Sequence, residues 1–181
     1  MNDAARHSSP FGLREKIARV LWSLVQSTCF RLSFHNWYAW RRFLLRRFGA
    51  VIGTGCVIRR TVRVECPWNL EMGANSCLGD RVNAYCLGEV KIGSRVSISQ
   101  DAELCAGTHD YSSRDMPLLR PPITVEDDAW IAAGAFIGPG VTVGEGAILG
   151  ARSVAMKDLQ AWTVFIGNPA VAVKDRQRPT D

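Results

Sequence analysis

Three histidines could move protons near neutral pH: His7, His35 and His109. An imidazole titrates close to the range in which most enzymes work, so it can take a proton from a weak nucleophile such as a hydroxyl. His7 lies in the opening stretch MNDAARHSSP and His35 in a basic helical segment, which leaves His109 as the only histidine on the body of the chain. It stands in the run CAGTHDYSSRDMPLLRPPIT, followed by Asp110, a residue placed either to orient the imidazole or to start a loop. Pro117, Pro121 and Pro122 cannot donate ladder hydrogen bonds, so this run must leave any β structure as an ejected loop. Loops leaving a rigid frame are good places to present chemistry. Taken alone, however, a loop histidine is more often a solvated residue than a catalyst, and the frame has to decide.

The cysteines offer a poorer case. Cys29, Cys56, Cys66, Cys77, Cys86 and Cys105 are spaced 9 to 27 apart, with no CxxC and no nearby histidine pair. Zinc ribbons and redox motifs need close pairs, so neither is supported. A disulfide scaffold is allowed by count, yet a chain with 47% hydrophobic residues does not need one. The expectation is reduced thiols, with Cys105 facing an interior.

The frame that must position His109 is written in the spacing of apolar residues after position 51. Val125, Ile131, Ile137, Val143, Leu149 and Ala155 recur every six positions, and Gly138, Gly144 and Gly150 follow three of them. Earlier, Ile52, Ile58 and Val64 give way after a two-residue slip to Met72, Leu78 and Ala84, and after another slip to Ile92, Ile98 and Leu104. A helix would demand 3.6 and a plain strand 2. Six residues make one short strand and a bend with one side chain inward, and three such units close a triangular coil of about eighteen residues. Glycine after the inward residue relieves crowding at the turn. Leu104 to Val125 spans 21 positions, three units plus three extra residues, and marks where the repeat breaks.

In blocks such as IGPGVTVGEGAILGARSVAMKDL and IGNPA the chain resembles the hexapeptide-repeat acyltransferases over residues 50–174. CPWNLEMG, LGEVKIGSRVSISQDAELCAGTHDYSSRD and the arm sequence WRRFLLRRFGA bring it nearest to acetyltransferases of the colanic-acid-biosynthesis type, which modify bacterial surface polysaccharides. The resemblance implies an all-β fold, a left-handed parallel β-helix that works as a homotrimer; the left hand comes from it alone, since parallel crossovers usually run right-handed. It implies acetyl-CoA as co-substrate and no metal. His109 matches the general base, and acetyl passes by direct attack of a sugar hydroxyl on the thioester, with a backbone N–H as the kind of donor the oxyanion needs. Asn83 is the nearest match to an asparagine that helps at the active centre, although a corner asparagine satisfying its own turn explains it equally well. Ala133, Ala151, Lys157 and Lys174 match donor-binding positions, the lysines alternatively being solvated surface charges. Trp130 stands where an aromatic often lies near the donor channel, and packing accounts for it equally well. Where many relatives carry a basic residue after the GNPA corner, this chain has Val171.

The expected organisation is a basic aromatic helical arm over 1–48, a β-helix over 49–160 with an ejected loop at 108–122, and a C-terminal tail over 161–181. Residues 14–48 carry a net +7 and residues 49–181 a net −2, so a uniformly basic nucleic-acid binder is a poor reading. In the arm, Ile17, Val20, Leu21, Leu24 and Val25 recur at helical spacing, and Trp40, Phe43, Leu44 and Phe48 follow among Arg41, Arg42, Arg46 and Arg47. Two readings stand, and both can hold: a pair of helices packed on the body, or an amphipathic arm leaning on an anionic membrane. The apolar stretch from Val20 to Phe30 is too short to span a bilayer, and the opening lacks a signal-peptide shape. The location expected is therefore cytoplasmic, with the arm peripheral at the inner membrane face in the second reading; that reading suits a lipid-linked acceptor. Competing functions are an acetyltransferase for a simple sugar, amino acid or antibiotic, a non-catalytic β-helix scaffold, and a zinc carbonic anhydrase, which needs three histidines where this body has one.

Overall fold

A computed structural model describes residues 11–178; His7 and the ends of the first and last expected segments lie outside them. The six-residue period becomes strands of two to five residues, stacked as three faces joined by corners. The first face stacks Val51–Ile52, Leu70–Met72, Val90–Ile92, Ile123–Val125 and Thr142–Val143. The second stacks Val57–Ile58, Cys77–Leu78, Ser97–Ile98, Trp130–Ile131, Ile148–Leu149 and Thr163–Ile166. The third stacks Arg63–Val64, Asn83–Tyr85, Glu103–Cys105, Phe136–Ile137 and Val154–Ala155. Neighbours within these three stacks are parallel. The chain is a parallel β-helix with a helical arm in front of it. All fifteen residues of the periodic series point inward, each at most 5% exposed, and each Val, Leu, Ile and Met among them contributes about 1.5–3 kcal/mol by its burial.

Coil length departs from eighteen in the first half. Thr124 pairs with Thr142 and Trp130 with Ile148, eighteen apart, but Val51 pairs with Glu71 and Leu70 with Val90, twenty apart. The extra residues lie at the corner between third and first faces, where Pro67–Asn69 makes a 3-10 turn and Cys86, Leu87 and Gly88 widen the next bend. The two slips in the sequence are these corners. The loop enters at the same corner one coil later. Leu104 on the third face and Val125 on the first are therefore one corner apart, and the interval is a single step with its excess pushed outward, not three repeat units plus three residues.

Glycine at the corner between first and second faces serves close approach. A Cβ on Gly73 would lie 2.6 Å from the Gly93 carbonyl carbon, and one on Gly53 would lie 2.7 Å from that of Gly73. The left-handed backbone falls two residues later, at Gly55, Asn75, Arg95, Asp128 and Gly146, with φ between 57° and 70°.

The arm consists of α1 (Leu13–Val25), a π-helical turn Gln26–Phe30 and α2 (Tyr38–Arg47). It closes the open end of the solenoid. The first coil has no coil beneath it, so its backbone groups need other partners. One donor reaches the inward residue of each face: Arg46 Nε to the Ile52 carbonyl at 3.0 Å, Arg41 Nε to that of Ile58 at 2.6 Å, and Trp22 Nε1 to that of Val64 at 2.7 Å. Gln26 Oε1 accepts from the Val64 N–H, and Arg42 donates to the Cys56 carbonyl. Arg41 is fully buried and also donates to Ser33 Oγ and to the carbonyls of Phe34 and His35; burial pulls its pKa down. The arm packs on the body through Trp22, Phe30, Leu44 and Leu45, with Val25 and Phe48 against them, whereas Ile17, Val20, Leu21 and Leu24 of the α1 series are exposed.

The segment expected as a tail from 161 is structured. Thr163–Ile166 continues the second face, and Val171–Asp175 folds back antiparallel upon it. All six cysteines are free. Cys105 faces outward, because Leu104 takes the inward position of its strand.

Candidate active site

The ejected segment is a hairpin. Thr108–His109 pairs antiparallel with Leu118–Leu119, His109 opposite Leu118, and the Asp110 N–H donates to the Pro117 carbonyl at 3.0 Å. At the tip, Asp110 Oδ1 accepts from both the N–H and the hydroxyl of Ser112, an Asx turn that starts the reversal. The Ser112 hydroxyl holds the Asp110 carboxyl below the usual carboxylate range. Asp110 is thus engaged at the start of the loop reversal.

The imidazole meets the backbone of the same loop. His109 Nδ1 lies 2.6 Å from the Met116 carbonyl oxygen. A carbonyl only accepts, so Nδ1 carries the hydrogen, and the neutral ring leaves the Nε2 lone pair available. Met116 reaches this position with φ +44°, unusual for a side-chain-bearing residue and more so before a proline. Strained backbone of this kind collects at functional sites. No sequence signal marks Met116, because a pre-proline methionine reads as extended. The foot of the loop is tied to the arm: Arg120 lies 3.7 Å from Glu15, and the Phe11 ring sits between the guanidiniums of Arg19 and Arg120, at 4.2 and 4.9 Å.

The other expected residues fall on different sides of the prism. Asn83 lies on the third face, where its Nδ2 donates to Glu103 Oε1 at 3.0 Å, and its buried Oδ1 meets no partner among the described residues. Ala133 and Ala151 stack at the corner between second and third faces, linked by the Arg152 N–H on the Ala133 carbonyl. Lys157 is exposed at the corner from which the loop leaves, two coils on, and Lys174 is exposed on the last strand. Trp130, 44% exposed on the second face, donates from Nε1 to Ser99 Oγ at 3.0 Å. One chain brings His109 and Lys157 to a common corner. It leaves Ala133 and Ala151 a whole face away and Trp130 and Lys174 on another side. Cys105 Sγ donates to the Gly107 carbonyl, and burial raises its pKa, the reverse of what a nucleophilic thiol needs. Among the described residues no three His, Cys, Asp or Glu side chains gather as a metal site.

Residues 122–154 match the bacterial transferase hexapeptide family model, which spans six repeats. A protein of Escherichia coli K12 named as the colanic acid biosynthesis acetyltransferase WcaF is 44% identical over 178 residues, covering 97% of this chain and 98% of its own length. This chain belongs to the hexapeptide-repeat acetyltransferases, in their colanic-acid-biosynthesis branch. More distantly, the galactoside O-acetyltransferase of E. coli K12 is 25% identical, with 75% of this chain and 68% of that protein covered. Among solved structures, an acetyltransferase of Vibrio cholerae O1 biovar eltor in complex with acetyl-coenzyme A superposes with a TM-score of 0.82 at 20% identity, covering 98% of this chain and all of that one. A maltose O-acetyltransferase from Clostridium difficile 630 superposes with a TM-score of 0.81 at 23% identity, covering 90% and 88%.

Proposed function

We propose that this enzyme transfers acetyl from acetyl-CoA to a hydroxyl of a sugar in bacterial surface polysaccharide synthesis, with His109 as general base. The observation that carries the reading is the Met116 carbonyl on Nδ1, which presents Nε2 as the proton acceptor on an exposed loop. Nε2 takes the hydroxyl proton as the sugar oxygen bonds to the thioester carbonyl carbon. The tetrahedral oxyanion, held by donors such as backbone N–H groups, collapses with cleavage of the C–S bond. The CoA thiolate leaves and takes the proton back from the imidazolium. No acyl-enzyme is needed.

The donor would run along a groove between two copies of the chain. Ala133 and Ala151 lie a face away from His109, so a neighbour's corner is needed to bring pantetheine to the imidazole, and a homotrimer supplies three such grooves. Lys157, Lys174 and Trp130 would line them, the lysines meeting the phosphates. The buried Oδ1 of Asn83 favours a place for it in the site over that of a simple corner residue, since an orphaned acceptor calls for a donor. The near-full-length likeness to the colanic acid enzyme favours a polysaccharide acceptor, lipid-linked in our reading, over a simple sugar. The test is CoA-thiol release from acetyl-CoA with lipid-linked oligosaccharides, nucleotide sugars, and simple sugars offered in turn. A lipid-linked acceptor should give at least about tenfold the kcat/KM of simple sugars, about 1.4 kcal/mol of discrimination. Equal rates would move the enzyme to the small-molecule class, and no release with any hydroxyl would overturn O-acetylation.

A further inference from the structure

Capping the first coil uses Trp22, Gln26 and three arginines of α2, and it leaves the opposite side of the arm uncovered. On α1, Leu13, Ile17, Val20, Leu21 and Leu24 form one apolar stripe, each between 51% and 75% exposed. Beyond the π-helical turn, Leu32, Phe34 and Trp37 are at least half exposed as well. A contiguous apolar stripe on a monomer's surface marks an interaction site. Its surroundings say with what. Arg14, Lys16, Arg31 and Arg47 are exposed within the arm. Between α1 and the first coil runs a cavity of about 420 Å³ lined by Arg19, Arg31, Arg60 and Arg63, and Val20 of the stripe stands at its edge. Glu65 is the one acid lining it and is shared by Arg19 and Arg63, so the lining keeps net positive charge. The acid of α1, Glu15, turns away to Arg120.

We infer that the outer side of the arm docks on an anionic lipid surface, the α1 stripe entering the headgroup boundary and the arginine-lined cavity receiving lipid phosphates. Apolar residues beside Lys and Arg, with tryptophan at the margin, are the pattern of a helix lying in a bilayer interface. No helix of the described residues is long and apolar enough to cross a membrane. Guanidiniums suit phosphate because their forked donors bind it in pairs. A second copy meeting this face about a two-fold axis would also cover apolar side chains, but it would bring the same positive lining against itself; a neighbour meeting it with another face would have to supply acids to match the four arginines. Docking does not depend on the chemistry at His109. In the docked state α1 carries the loop toward the membrane through the contacts of Glu15 and Phe11 with Arg120.

The test is cosedimentation of the full-length protein with sucrose-loaded vesicles of phosphatidylcholine alone or with about one-third phosphatidylglycerol. Wild type should bind the anionic vesicles at least about tenfold more tightly than the neutral ones, and high salt should weaken that binding. The double variant Ile17→Ser, Leu24→Ser changes two exposed side chains, so it should keep its fold by circular dichroism and lose about tenfold in vesicle affinity. Arg31→Gln with Arg60→Gln should lose a similar factor on anionic vesicles alone. Equal binding to both vesicle types, or undiminished binding by the serine variant, would overturn docking. So would a serine variant whose oligomeric mass changes while vesicle binding is nil, which would give the stripe to a second copy.

Discussion

Arg41 is the sharpest test of how the solenoid is closed. Its guanidinium makes four hydrogen bonds between 2.6 and 2.8 Å, to the Ile58, Phe34 and His35 carbonyls and to Ser33 Oγ, with no exposed surface. Arg41→Met keeps most of the aliphatic volume but strips all four acceptors of their donor, and the Ile58 carbonyl and Ser33 Oγ lose theirs in a buried place. At about 1 kcal/mol for each bond, the substitution should cost about 4 kcal/mol. For a chain of this size that corresponds to a fall in Tm of about 8–16 °C. Because a solenoid's stability is a sum of neighbouring units, the loss should start at one end. Hydrogen exchange should speed up first in α2 and around Val57–Ile58, while the coils after residue 123 keep their protection. Arg41→Lys should recover little, since an ammonium cannot fork to partners on both sides. A Tm within about 2 °C of wild type, or exchange quickened evenly along the chain, would refute the capping role.

Other substitutions probe the repeat, the loop and the donor groove. Gly73→Ala places a Cβ 2.6 Å from the next coil's backbone and should destabilise by about 1–3 kcal/mol in a denaturant titration, despite being the smallest change available. Ser112→Ala removes the main cause of the low Asp110 pKa, which should then rise toward its ordinary value in an NMR titration. A depressed carboxylate pKa lends stability above the unfolded value and loses it as pH falls through the folded one. The variant's loop should accordingly loosen at a higher pH than the wild-type loop. Lys157→Ala should raise the apparent KM for acetyl-CoA about three- to tenfold with little change in kcat, and an unchanged KM would remove it from the phosphate site.

Much of the frame was legible because its period is rigid. Inward residues recur every six positions for a geometric reason, so the interior places of Ile52 through Ala155 are readable in the spacing alone. The slips were visible as a broken count, but their place needed the pairing of Val51 with Glu71 and Leu70 with Val90. The arm was harder. In α2 the expected Leu44 does face the body, but in α1 most of the apolar stripe is exposed and Trp22, packed on Phe30 and Phe48, faces inward instead. The open solenoid end takes both kinds of partner: Trp22, Arg41, Arg42 and Arg46 meet its orphaned carbonyls while Leu44 and Leu45 cover its apolar interior. The C-terminal strands were missed because their apolar residues no longer keep the sixfold count. At the site, His109 stood out by type and by its proline-rich loop, whereas the Met116 carbonyl that fixes its tautomer is a backbone group with no signature in the sequence.

The central measurement is steady-state CoA-thiol release by His109→Ala, with thermal melting run on the same preparation. Loss of a general base should lower kcat/KM by at least about 100-fold, while the melting curve stays close to wild type because the exposed imidazole packs against no core. A variant that melts normally and keeps more than about a tenth of the wild-type rate would contradict the role of His109.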